Sequence, residues 1–139
     1  AKKLVIEKKI PNVHWLEPSY LEDEVWAFHQ AIDVLAHFRN DGESFGLNIA
    51  ESMLVGNPIL THKSHIWNAH LEYLDNSFSR YTDKDDYEQY AKNMIEFAEL
   101  HNSGKLKEMG QEAKIKAEGL FLIENCIGKY ENIINEATQ

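Results

Sequence analysis

The sequence predicts an α/β fold, a doubly wound and mostly parallel sheet with helices on both faces. Three observations carry this. Short β-rich runs alternate with longer segments whose apolar residues recur at helical spacing. Polar, glycine-containing turns lead from strand to helix, most clearly from Arg39 to Phe45. The 139 residues are 43% hydrophobic, with no repeat, low-complexity tract or internal linker, so a single apolar core is expected.

The elements follow in order. Ala1 to Ile6 reads as the tail of a helix without an initiator Met, as expected of a segment that starts inside a larger protein. Asn12-Val13-His14-Trp15-Leu16, bounded by Pro11 and Pro18-Ser19, is expected to form a buried strand over 12–16. Leu21, Val25, Phe28 and Ile32 place a helix over Leu21 to Ala31. Its first turn holds Glu22, Asp23 and Glu24, where the helix dipole favours negative charge. A second strand covers 33–38, and the next helix shows Leu47, Ala50, Met53 and Leu54 on one face before Gly56 and Pro58 close it. Strands over 58–62 and 78–81 come next. The remaining helices carry Tyr87 to His101, then Leu106, Met109 and Ala113, then Ile123, Ile127, Tyr130 and Ile134.

Composition removes several function classes. Fourteen Lys plus Arg against twenty-three Asp plus Glu leave a net charge of −9, which repels a phosphate backbone or an anionic bilayer. Nucleic acid is therefore not an expected partner, and the lysines at positions 2, 3, 8 and 9 read as solvating residues. No apolar run is long enough to span a membrane. Cys126 is the lone cysteine, so no internal disulfide forms, which fits the cytoplasm.

The informative turn is Asp41-Gly42-Glu43-Ser44-Phe45-Gly46-Leu47-Asn48. Gly42 and Gly46 permit close backbone approach or positive φ, and the N–H groups of Phe45, Gly46 and Leu47 are placed to meet a phosphate or a sugar hydroxyl at a helix start. Glu43 and Glu51 lie eight residues apart and are expected to face one cleft, where carboxylates accept hydrogen bonds from vicinal hydroxyls. A ligand with both polyol and phosphate parts suits such a site. Nucleotide sugars are such ligands.

The run from Asp33-Val34-Leu35 through Glu43-Ser44-Phe45-Gly46-Leu47-Asn48-Ile49-Ala50-Glu51-Ser52-Met53 to Gly56-Asn57-Pro58-Ile59 resembles the signature of family 4 (group 1) retaining glycosyltransferases. Ser44, Ser52 and Ile32 depart from the residues common there. The resemblance implies the Rossmann-like C-terminal, donor-binding lobe of a GT-B enzyme that transfers a hexose from a nucleotide-diphosphate sugar to a glycan, lipid or small-molecule acceptor. It assigns the catalytic position to Glu43 at the donor sugar and Glu51 to the ribose. It assigns Ser44, Phe45, Gly46 and Leu47 to the sugar and diphosphate, and Pro18, Ser19 and Tyr20 to the neighbourhood of the base. It requires no metal. The family's cationic Arg and Lys and its acceptor lobe lie before the matched region, so residues 1–139 are expected to be a partial donor domain, cytoplasmic or peripheral to a membrane in the whole enzyme.

Other features have plainer readings. His62, His65 and His70 fit no common closed zinc spacing and are expected to be polar loop residues near the cleft. Asp83-Lys84-Asp85 spells D-x-D, yet Asp85 or Asp86 suits a helix N-cap. Trp15, Trp26 and Trp67 read as packing residues, with Trp67 also placed to line a sugar site. The competing class is a non-catalytic α/β binding or sensory module, but neither G-x-G-x-x-G nor an acidic phosphoacceptor cluster follows the first strand. In the family, two strands separate 12–16 from 33–38. Either the two pair directly here, or the exposed edges recruit a second copy of the chain.

Overall fold

The computed structural model describes residues 2–138. Helix α1 (Lys2–Glu7) leads through an irregular segment to α2 (Glu22–Ala31), then β1 (Leu35–Ala36), β2 (Gly42–Glu43), α3 (Leu47–Leu54) and β3 (Ile59–His62). After β4 (Trp67–Asn68) a 3₁₀ turn (Ala69–Glu72) precedes β5 (Ser79–Thr82). Three helices complete the described chain: α4 (Tyr87–Asn102), α5 (Leu106–Phe121) and α6 (Ile123–Ala137).

The main sheet is parallel, in the order β1-β3-β5, with Leu35 opposite Ile59 and Ile59 opposite Ser79. Successive strand residues point to opposite faces, and the core obeys this. Ile59 joins Ile49 and Met53 of α3 and Ala113 and Ala117 of α5 on one side, while Leu60 joins Phe97 of α4 and Leu106 on the other. The central strand β3 is buried along its whole length, as expected where helices cover both faces. The fold is thus the predicted Rossmann-like α/β arrangement.

Asp86 caps α4 by accepting from the Gln89 N–H at 2.9 Å, so the D-x-D run, Asp83 to Asp85, ends one residue before the helix cap. No helix among the described residues is long and apolar enough to cross a membrane.

Three expectations need correction. Residues 12–16 form no strand: they belong to no ladder, Asn12 has a left-handed φ of 59°, and Trp15 is 46% and Leu16 73% exposed. A strand needs a neighbour to take its backbone hydrogen bonds, and the free edge of β1 does not supply one to this segment. Trp15 and Trp67 are exposed rather than packed. His62 and His70 are buried, His62 at the end of β3 and His70 in the 3₁₀ turn, whereas only His65 of that trio is an exposed loop residue. The sequence reading also overlooked the short parallel ladder in which Gly42 and Glu43 pair with Trp67 and Asn68.

Helix α3 ends in a Schellman turn: Gly56, at φ 90°, donates to the Met53 carbonyl, and Asn57 donates to that of Ser52. Gly110 of α5 lies against this turn so closely that a Cβ would sit 2.0 Å from the Gly56 carbonyl oxygen. Gly110→Ala should therefore destabilise the chain by about 1–3 kcal/mol in urea unfolding, because the obstacle is backbone and cannot rotate away. Gly119, in the same helix with nothing within 4 Å of its Cβ position, supplies the control. Gly119→Ala should stabilise by about 0.5–1 kcal/mol, and equal effects at both sites would refute the close contact.

Candidate functional site

The turn between β2 and α3 is pinned from two directions. Gly42, at φ 74°, lies so close to Trp67 that a Cβ would meet its carbonyl oxygen at 1.8 Å, so the β2–β4 ladder forms only with glycine there. Gly46 caps α3 in the left-handed region at φ 90°, where the Tyr73 hydroxyl donates to the Phe45 carbonyl at 2.6 Å and reaches the Gly46 carbonyl at 3.3 Å. With the carbonyls drawn inward, the N–H groups of Phe45 and Gly46 have no protein partner among the described residues. Burial, with Glu43 nearby, pushes the Tyr73 hydroxyl far up, so it stays protonated and remains a donor.

Glu43 is anchored at one oxygen, and Glu51 has one oxygen close to a histidine. Glu43 Oε1 accepts from His37 Nε2 at 3.0 Å and from Arg39 Nη1 at 3.3 Å, while Asp41 holds the rest of the guanidinium at 2.9 and 3.3 Å. Its Oε2 has no protein partner among the described residues and is left open. Glu51 Oε2 lies 3.4 Å from His29 Nε2 without the alignment of a hydrogen bond, and Oε1 has no hydrogen-bond partner in the protein among those residues. The Glu43 side chain is 13% exposed and that of Glu51 34%.

A cavity of about 800 Å³ opens between the segment before α2, α2 itself, β1 and the first turns of α3. Ser19, Tyr20, Leu47 and Glu51 share its wall with His29 and Leu35. Tyr20 is 95% exposed, so its ring stands at the rim. Pro18 and Ser44 are exposed and lie outside this wall. Phe45 lies with Glu51 and Leu47 along a second cavity of about 690 Å³, its ring 5.8 Å from Tyr73 and 5.4 Å from Phe121. Gly46 is buried beneath the turn. Glu43 lines neither cavity, contrary to the expectation that both carboxylates face one cleft, because the ladder to β4 turns it toward His37. Trp67 lines neither.

Sequence reasoning passed over His29, His37, Arg39 and Tyr73. Signals for two of them existed. Strand alternation puts His37 on the inward face with Leu35, and His29 interrupts the apolar stripe of Val25, Phe28 and Ile32. A polar ring on a core-facing position calls for a partner. Among the described residues, no three His, Cys, Asp or Glu side chains gather as a metal site would need.

Burial holds the His37 imidazole below its ordinary 6.5, against the opposing pull of Glu43, and burial followed by the charge of His37 does the same at His70. Both rings are therefore neutral in the fold at neutral pH. Below about pH 6.5 the unfolded chain takes up protons that the fold refuses. Their contribution to stability is complete above that pH and is lost as pH falls toward the folded values. Melting temperature should drop between roughly pH 7.5 and 5.5, and His70→Gln should shallow the slope; an unchanged slope would contradict a neutral buried His70.

Comparison with known proteins fits this geometry. The family model for glycosyl transferases group 1 matches residues 1–116, which include the turn, both glutamates and the whole parallel sheet. No curated protein and no solved structure matches the chain. The chain belongs to the group 1 glycosyltransferases.

Proposed function

We propose that this chain is part of the donor-binding lobe of a GT-B, family 4 glycosyltransferase that moves a hexose, with retention, from a nucleotide-diphosphate sugar to a glycan, lipid or small-molecule acceptor. One observation carries the reading: Glu51 presents an open carboxylate oxygen in a cavity of about 800 Å³, together with Ser19 and Tyr20 and beside the start of α3. In this reading Glu51 holds the ribose hydroxyls, and Ser19 and Tyr20, with Pro18 behind them, border the base. The free N–H groups at Phe45 and Gly46, flanked by Ser44 and Leu47, meet the diphosphate and sugar. Glu43 faces the donor sugar through Oε2.

The reaction needs a leaving diphosphate and an increasingly cationic sugar to be stabilised together, which is electrostatic work by fixed dipoles and charges. No metal is required in this proposal. The cationic partners of the diphosphate and the acceptor site come from segments upstream of Ala1, so residues 1–139 alone do not turn over an acceptor. The whole enzyme works in the cytoplasm or at a membrane surface. The free edges of β1 and β5 favour self-association, and a strict monomer by light scattering would exclude it.

Thermal shift against UDP, GDP and ADP sugars identifies the donor. In the complete enzyme, Glu51→Gln should weaken the nucleoside diphosphate and its sugar conjugate alike, and Glu43→Gln mainly the conjugate. A hydrogen bond to a charged group contributes about 1.5–3 kcal/mol, roughly ten-fold to over a hundred-fold in affinity by titration calorimetry. Equal loss of both ligands in both variants, or no loss in either, would sink the division of labour.

A further inference from the structure

Each of the two carboxylates has a buried histidine beside it, hydrogen-bonded at Glu43 and in looser contact at Glu51. His37 Nε2 stands 3.0 Å from Glu43 Oε1, and His29 Nε2 stands 3.4 Å from Glu51 Oε2. Both rings are buried, His29 to 2% exposure, and in both the Nδ1 atom has no hydrogen-bond partner. A neutral imidazole carries one N–H, and a carboxylate can only accept. The proton therefore belongs on Nε2 in each ring, where it meets the carboxylate, and the bare Nδ1 takes the place buried without a partner. Protonating the His37 ring would bury an unsatisfied N–H, which costs free energy.

The rings are themselves held. The His29 backbone carbonyl accepts from Asn57 Nδ2 at 2.7 Å, and its ring packs edge-on to Phe28 and Trp26 at 5.5 and 6.4 Å. Asn57 belongs to the turn that ends α3, so α2 and α3 are fixed relative to each other where His29 meets Glu51. His37 is tied by its N–H to the Leu60 carbonyl at 2.7 Å, and its own carbonyl accepts from the Tyr90 hydroxyl at 3.4 Å. Around it stand Glu43, Arg39, His62 and His70, the last with its ring 6.2 Å away.

We propose that His29 and His37 are positioning residues, each directing its Nε2–H toward one oxygen of its glutamate so that the other oxygen is presented to the donor. This rests on the assignment of Glu51 to the ribose and Glu43 to the sugar. A carboxylate with one oxygen fixed keeps a single rotamer, so the ligand does not have to order it on binding. His29 thereby sets affinity for the nucleotide, and His37 sets affinity for the sugar.

The test is a set of double-mutant cycles in the complete enzyme, titrating the nucleoside diphosphate and the hexose conjugate that give the largest thermal shift in the UDP, GDP and ADP panel. Phe keeps the ring and loses the donor; Gln restores a donor near the Nε2 position. His29→Phe should weaken both ligands roughly ten-fold, as for loss of a hydrogen bond to a charged group, and His37→Phe should weaken mainly the conjugate. His29→Gln and His37→Gln should recover most of the loss. Neither His→Phe change should add to the loss in the Glu51→Gln or Glu43→Gln background of its partner. Full additivity, or Gln variants as weak as Phe variants, would overturn the positioning role while leaving the glutamate assignments intact. Silent Glu→Gln variants would overturn both. Nitrogen-15 spectra of the imidazoles supply a readout free of ligand and of folding differences: both rings should show the Nε2–H tautomer at neutral pH, and an Nδ1–H tautomer in either would refute its pairing.

Discussion

The backbone contact between Gly56 and Gly110 sets where α3 can lie, and much of the site follows from α3. Two helices that meet without side chains between them have little freedom to slide. On one side α3 is pressed against α5 in this way, and on the other Ile49 and Met53 lock it onto β3. Its N-terminus is therefore delivered to the carboxyl end of the sheet in one orientation, with Leu47 and Glu51 facing the cavity and Phe45 and Gly46 at the start of the helix. The Schellman turn that permits the contact also supplies Asn57, which reaches back to α2.

The electrostatics of the site are local. A chain with net charge −9 repels a diphosphate at long range, so donor attraction cannot come from the field of these residues as a whole. What they provide is short-range: the N–H groups of Phe45 and Gly46 and one oxygen of Glu43 have no hydrogen-bond partner among the described residues. Arg39 does not relieve the deficit, because its guanidinium is already shared between Asp41 and Glu43.

The segment from Ile10 to Tyr20 shows what β-propensity cannot do alone. Val13, Trp15 and Leu16 suit a strand, yet without a ladder they lie exposed in irregular structure. The end of this segment is still useful, because Leu16, Ser19 and Tyr20 close one wall of the cavity. Val25 and Phe28 of α2 line the same space.

The sequence by itself determined the α/β class, the helices from α2 onward, three of the four expected strands and the family. Those depend on local signals: helical spacing around Leu47 to Leu54, the glycine and proline after it, and the run from Glu43 to Glu51. The tertiary structure alone decided that residues 12–16 stay unpaired, that Gly42 and Glu43 form a ladder with Trp67 and Asn68, and that Glu43 turns from the cavity toward His37. It also decided which polar residues are buried, placing His29 and His37 against Glu51 and Glu43 across 22 and six positions of chain. The physical reason is common to all of these. Hydrogen-bond satisfaction in a buried place depends on which groups meet in space, and periodicity along one chain specifies the face a residue occupies but not the partner that waits there.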